Sequence, residues 1–187
     1  MNMIDRTRHR WAALALLALV AAAPEPPPEP AGYWLGPPKG PVPATISGGT
    51  VVRTADLPDL IRQAHPVLVD VLPAPRRPDT QPGTMPWLPQ PHRAIPGSLW
   101  IPGVGWGEIA APLAAWFHDR LEEVTGHDRD RPVVFYCRPN CWMSWNAAKR
   151  AIADGYRHIY WYPDGIEGWQ AAGLPTAVAA PEGPEAW

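Results

Sequence analysis

VVFYCRPNCWMSWNAAKRA, residues 133–151, decides the fold. Val133 to Tyr136 are all β-branched or aromatic, the composition of a strand covered on both faces. The run beyond Cys141 is rich in alanine and predicts a helix over about 143–154, with Gly155 at its C′ position. Between them, Cys137-Arg-Pro-Asn-Cys141 carries both cysteines of the chain. A loop that leaves a strand and enters a helix offers unpaired backbone N–H groups and a partial positive charge, and both stabilise a thiolate.

The same alternation runs outward in both directions. Upstream, Ile46 to Arg53 predicts a short strand, and Ala55 to Ala64 a helix with Thr54 as N-cap and Asp56 and Asp59 near its start. Val67 to Leu72 is an almost continuous apolar run, as in a parallel sheet. Pro73 to Ala94 is a long Pro-rich connection, and connections of that length often serve binding. Ile95 to Pro102 predicts a turn and a short strand. Pro112 opens a helix over Leu113 to Val124 that Gly126 stops. Downstream, His158 to Tyr162 predicts a strand, Pro163-Asp164-Gly165 a turn, and Ile166 to Ala172 a short helix. Strands alternating with helices predict a single three-layer α/β domain with a mainly parallel central sheet and helices on both faces.

The ends read differently. Arg6, Arg8 and Arg10 precede an apolar stretch from Trp11 to Val20, and Ala21 to Ala23 supply small residues for cleavage. That is the pattern of a signal peptide over 1–23, too short to span a bilayer comfortably, and it predicts export to the periplasm. Its removal takes the formal charge from −2 to −4, which leaves no electrostatic footprint for nucleic acid. Residues 24–45 are a Pro-rich lead-in on which Tyr33 and Trp34 are placed to dock. The domain is expected over 46–178, with 73–94 as its insertion and 179–187 as a frayed tail.

Three chemistries fit the two cysteines. One is a dithiol/disulfide pair. Closing so small a ring constrains the unfolded chain by only about 2 kcal/mol, which motivates a redox pair somewhat better than a staple. An oxidising compartment favours the bonded state, so a permanent and a cycling disulfide both stay open. The second is sulfur transfer through a Cys137 persulfide held by loop N–H groups. The third is Cu(I) binding by two thiolates, although no His or Met has a spacing that singles it out. Zinc needs more ligands than the loop supplies, and covalent haem needs a Cys-x-x-Cys-His pattern. No resident cofactor or metal is therefore expected. Trp142 and Trp145 read as packing residues. Asn146, Lys149 and Arg150 read as a solvated helix face, and His65, His92, His118, His127 and His158 as loop or surface histidines.

The order and spacing of Val67-Leu-Val-Asp70-Val, Ile95-Pro-Gly-Ser-Leu-Trp-Ile-Pro102, the strand into Cys137, Ser144-x-x-Ala-Ala, and Gly165-Ile-Glu-Gly-Trp169 through Pro175 resemble the rhodanese-like domain over about 50–175. The resemblance implies the rhodanese α/β fold with the cysteine loop as active-site loop. FYC…CWMSWNAAKRA, DVLPAPRRP and YWYPDGIEGW further resemble the exported PQQ-dependent catabolism-associated CXXCW motif proteins. That implies a context of quinoprotein alcohol oxidation and, as partners, a periplasmic quinoprotein dehydrogenase system or a thiol redox protein. Active rhodaneses carry a Cys-x-x-Gly-x-Arg-Ser loop. Here Cys137 matches the cysteine and Ser144 the serine, but the loop is one residue longer. Asn140 stands for the glycine, and Trp142-Met143 stand where arginine is expected. Arg138 is the loop's only cation, so the charge-assisted bonds that hold an anionic donor such as thiosulfate are reduced. The expected site is Cys137 as nucleophile, Cys141 as resolving thiol, and Arg138, Asn140, Trp142 and Ser144 as the loop and anion-binding residues. The expected activity is thiol–disulfide or related sulfur redox chemistry. Thiosulfate-type transfer, or a non-catalytic binding or assembly role, are the alternatives.

Overall fold

Apolar residues on successive positions of the strands face two separate cores, and this makes three layers. The computed structural model describes residues 25–76, 78 and 88–184. The expected signal peptide, and the middle of the Pro-rich insertion (77 and 79–87, with Arg77 and Trp87), lie outside the described residues. The elements are β1 (Thr50–Val51), α1 (Leu57–Ala64), β2 (Val67–Asp70), β3 (Arg93–Ala94), β4 (Leu99–Trp100), α2 (Ala111–Thr125), β5 (Val133–Tyr136), α3 (Trp142–Ala153), β6 (Ile159–Tyr162), α4 (Gly165–Ala171) and β7 (Ala177–Val178). Five strands form a parallel sheet in the order β1-β6-β5-β2-β4. Val69, Val133, Phe135, Ile159 and Trp161 pack with α2 and α3 on one face. Leu68, Val134, Tyr136 and Tyr162 pack with α1 and α4 on the other. The side-chain period of two sends neighbours in one strand to opposite layers. Ala147, Ala148 and Ala151 are fully buried, and their small side chains let α3 lie close against the sheet.

Several boundaries differ from expectation for local reasons. Thr54 does not cap α1. The N-cap is Asp56, without a side-chain cap bond. The Thr54 amide (2.9 Å) and hydroxyl (3.0 Å) instead donate to Asp164, and Arg53 adds a bond of 2.8 Å. Burial acts to raise the Asp164 pKa, but these hydrogen bonds outweigh it and hold the carboxyl below its ordinary range. They tie the start of α4 to the end of β1. The expected frayed tail is docked through residue 183. β7 pairs with β3, Trp100 bridges Pro181, and Arg120 holds Glu182 at 2.8 Å. Residues 185–187 lie outside the described residues. Gly126 ends α2 with a φ of 67°, the left-handed conformation a glycine adopts without a Cβ penalty.

The face of α3 that composition marks as solvated is buried. Asn146 is 2% and Arg150 8% exposed. The Asn146 side-chain oxygen accepts the Trp34 N–H (2.8 Å), and its NH2 donates to the carbonyls of Trp34 (3.0 Å) and Gly105 (3.0 Å). The Arg150 guanidinium donates to the carbonyls of Trp106 (2.6 Å) and Gly107 (2.8 Å) and lies 4.0 Å from the Tyr33 ring centre. These two side chains clamp the lead-in and the 103–107 loop onto the domain. Only Lys149 behaves more nearly as read, half-buried with its amine 5.2 Å from the Trp145 ring.

Candidate active site

The carboxyl ends of the parallel strands carry the site, the usual place for a ligand crevice in such a sheet. Asp70 ends β2, Tyr136 ends β5, and Cys137 follows directly. Cys137 and Cys141 are joined in a disulfide, with Cα atoms 6.3 Å apart. The two sulfurs are not equivalent. Cys137 is fully buried in the core of the α2/α3 layer. Cys141 is half-buried and lines a cleft of about 530 Å³ together with Lys39, Leu72, Arg138, Met143 and Glu167.

The loop backbone explains this placement. Asn140 takes a left-handed conformation, φ 55°, which asparagine tolerates better than most residues. It turns the chain so that Cys141 becomes the N-cap of α3. Gly165, also left-handed (φ 61°), packs α4 directly under the loop. A Cβ there would lie 2.6 Å from the Arg138 carbonyl carbon, and the next amide, Ile166 N–H, donates to the Cys137 carbonyl at 2.9 Å. Glycine is required at this position by both conformation and space.

A second covering comes from the lead-in. Lys39 forms an antiparallel bridge to Cys141. Gly40 N–H donates to Asn140 O (2.9 Å), and Trp142 N–H donates to Pro38 O (2.8 Å). The Trp34 ring stacks on Trp142 at 4.3 Å between centroids. Residues 34–40 are thus a strap over the cysteine loop.

The expected anion-binding residues separate accordingly. Trp142 is buried between Trp34 and Trp145. Ser144 is fully buried; its hydroxyl donates to Cys141 O at 3.3 Å and accepts the Trp161 indole N–H at 3.0 Å. Both therefore build the loop's support and do not face the cleft. Asn140 contributes backbone shape and also borders the cleft. Arg138 does border the cleft, but its Nε donates to Glu167 at 2.7 Å. The other Glu167 oxygen is buried without a hydrogen-bond partner. Among the described residues, no group of three or more His, Cys, Asp or Glu is placed to hold a metal ion. None of the described helices is long and apolar enough to cross a membrane.

A family model of the rhodanese-like domain matches residues 54–172, which contain the whole parallel sheet except β1, together with the cysteine loop. The chain belongs to the rhodanese-like domain family. Among curated proteins, an HTH-type transcriptional regulator of Mycobacterium tuberculosis is 39% identical over 77 residues, 41% of this chain and 32% of that protein. The match thus spans about one third of the regulator's length. Among solved structures, thiosulfate sulfurtransferase from Pseudomonas aeruginosa is 18% identical, with a TM-score of 0.45 over 70% of this chain and 20% of that one. The polysulfide-sulfur transferase homodimer of Wolinella succinogenes is 19% identical, with a TM-score of 0.44 over 74% and 82%. The rhodanese-like fold here carries a second cysteine, a strap and no loop arginine at the helix start.

Sequence reasoning missed one pair at this site. Asp70 is fully buried, and its carboxylate lies 2.8 Å from His92 Nε2. His92 reads from sequence as one of five scattered histidines. Its ring instead stacks on Trp100 at 3.9 Å. Burial pushes the Asp70 carboxyl up, against the opposing hydrogen bonds from His92 and the Leu72 amide. The available signal was Asp70 itself, a lone carboxylate ending a buried strand, which needs a partner.

Proposed function

We propose that this is an exported rhodanese-like protein whose Cys137–Cys141 pair cycles between disulfide and dithiol, in sulfur redox chemistry supporting quinoprotein alcohol catabolism. The observation that carries the reading is the asymmetry of the pair. Only Cys141 borders the cleft, while Cys137 is enclosed. An incoming thiolate meets Cys141 first, forms a mixed disulfide there, and expels Cys137 as a thiolate beside the N-terminus of α3. Strand-end position favours Cys137 as the nucleophile; accessibility favours Cys141 as the exchanging sulfur and Cys137 as the resolving one. The signal-like pattern of residues 1–23 supports an oxidising compartment, where such a pair can be reoxidised. The likeness of the FYC…CW and YWYPDGIEGW segments to the CXXCW proteins supports the alcohol-oxidation context. A thiol redox protein or a quinoprotein dehydrogenase is the corresponding partner.

Thiosulfate-type transfer is the competing reading, favoured by the family. It requires Cys137 reduced, reachable, and surrounded by N–H donors. In this chain Pro139 has no N–H, Trp142 N–H is engaged by Pro38, and the Ser144 hydroxyl is engaged on both sides. The fully reduced protein is therefore expected to show no Cys137-dependent formation of thiocyanate from thiosulfate and cyanide, yet to exchange with small-molecule disulfides. Thiocyanate turnover that vanishes in Cys137→Ser would overturn the redox reading in favour of sulfur transfer.

A further inference from the structure

Beside the disulfide cleft lies a second hollow of about 470 Å³, walled by His92, Arg93, Trp100 and Gln170. Leu72, Pro73, Arg138 and Glu167 border both hollows, so one ligand can lie across them. His92 is held firmly. Asp70 receives its Nε2 at 2.8 Å, and the ring rests on the Trp100 indole, itself fixed by a 2.6 Å bond to Leu72 O. With Nε2–H given to Asp70, the lone pair of the neutral ring is on Nδ1. Among the described residues no hydrogen bond occupies that nitrogen. A histidine that only satisfied Asp70 could be wholly enclosed. This one keeps 10% side-chain exposure and forms the cleft wall.

We propose that His92, oriented by Asp70, is the acid–base residue of the cleft and takes the proton of a dithiol substrate as its sulfur attacks Cys141. This rests on the exchange reaction proposed above. The first substrate S–H gives its proton to Nδ1, and its electron pair makes a bond to the Cys141 sulfur. The Cys141–Cys137 bond breaks, and its pair leaves on Cys137. The second substrate sulfur then attacks the first, forming the substrate disulfide and releasing Cys141. The two thiol protons end on the two cysteines. The substrate loses two electrons and the protein disulfide gains them. A thiol in a partly apolar cleft is harder to ionise than in water, so a base at hand matters most below its pKa of roughly 8.5.

Around His92 stand Asp70 on β2, which is hydrogen-bonded to it, and Arg93 on β3, Arg138 in the cysteine loop and Glu167 on α4, which line the same hollow; Tyr136 on β5 interacts with Asp70. Burial and the Asp70 charge push the Tyr136 hydroxyl up and keep it neutral. Arg93 is tied to Thr176, and Arg138 to Glu167.

Two reductants separate this role from a structural one. Dithiothreitol must lose a thiol proton to attack, whereas tris(2-carboxyethyl)phosphine attacks sulfur with no proton to lose. Reduction of the full-length oxidised protein is followed by trapping free thiols at pH 6–8. His92→Gln is expected to slow dithiothreitol roughly 100-fold at the acid end while leaving the phosphine rate unchanged. In the unaltered protein, which needs no variant to fold, the dithiothreitol rate per thiolate falls as pH rises, because the reaction carried by thiol and base together loses its thiol. In His92→Gln it is flat. Equal slowing of both reductants, or a flat profile in the unaltered protein, overturns the inference and leaves the exchange reaction standing. Failure of both reductants on the unaltered protein overturns the exchange reaction itself.

Discussion

Cys137→Ser is expected to trap a stable mixed disulfide at Cys141 with the linear disulfide of a monothiol, such as oxidised glutathione, whereas Cys141→Ser traps none at a comparable rate. In the first variant the reactive sulfur lines the cleft and its resolving partner is gone. In the second, the remaining thiol is fully buried under α2 and α3, so it reacts only through opening fluctuations. An opening cost of even about 3 kcal/mol suppresses its rate roughly 100-fold. Mass spectrometry of each variant after brief exposure to that linear disulfide reads the difference directly. Equal trapping, or faster trapping at Cys137, would show that the strand-end thiol is reachable and restore a persulfide route.

Trp34→Ala is expected to lower stability by about 3 kcal/mol, roughly 6–12 °C in Tm for a domain of this size. The ring stacks on Trp142 at 4.3 Å, nearly parallel to it at 11°. Its loss also leaves Asn146, which holds both backbone groups of residue 34, clamping a strap with no anchor. Two backbone hydrogen bonds, Gly40 N–H to Asn140 O and Trp142 N–H to Pro38 O, flank the Lys39–Cys141 bridge and join strap to cysteine loop. Loosening the strap therefore frees the Trp142 N–H and raises the exposure of Cys141. Thermal unfolding followed by tryptophan fluorescence, with alkylation of the reduced protein in parallel, checks both effects. An unchanged Tm and unchanged alkylation would mean that the strap neither stabilises nor shields the loop.

The layers were legible because their signal is local. The apolar run at 67–71, broken only by Asp70, and the uninterrupted one at 133–136 suit burial on both faces, and Gly126, Pro112 and Gly155 punctuate helices by rules that need no tertiary knowledge. The cysteine loop was legible for the same reason. What the sequence hid depends on partners far along the chain. Asn146 finds Trp34 across 112 residues, which turns an apparently solvated helix face into a clamp. His92 meets Asp70 across 22 residues of mostly Pro-rich chain, where no periodicity links them. Ser144 stands where the rhodanese loop has its serine, but the indole of Trp161 takes its hydroxyl. Thr54 has the composition of an N-cap and was drawn off by Asp164, because a half-buried carboxylate at the start of α4 needs donors more than α1 needs a cap.

The central claim is that Cys137 and Cys141 exchange electrons with a dithiol partner through Cys141. Its most direct measurement is a redox titration of the protein in buffers of defined thiol–disulfide potential, with thiols trapped and counted by mass. The account predicts a midpoint above about −300 mV, the level below which structural disulfides resist reduction, together with dithiol turnover lost in Cys141→Ser. A midpoint far below that level with no turnover would contradict it and make the bond a permanent staple.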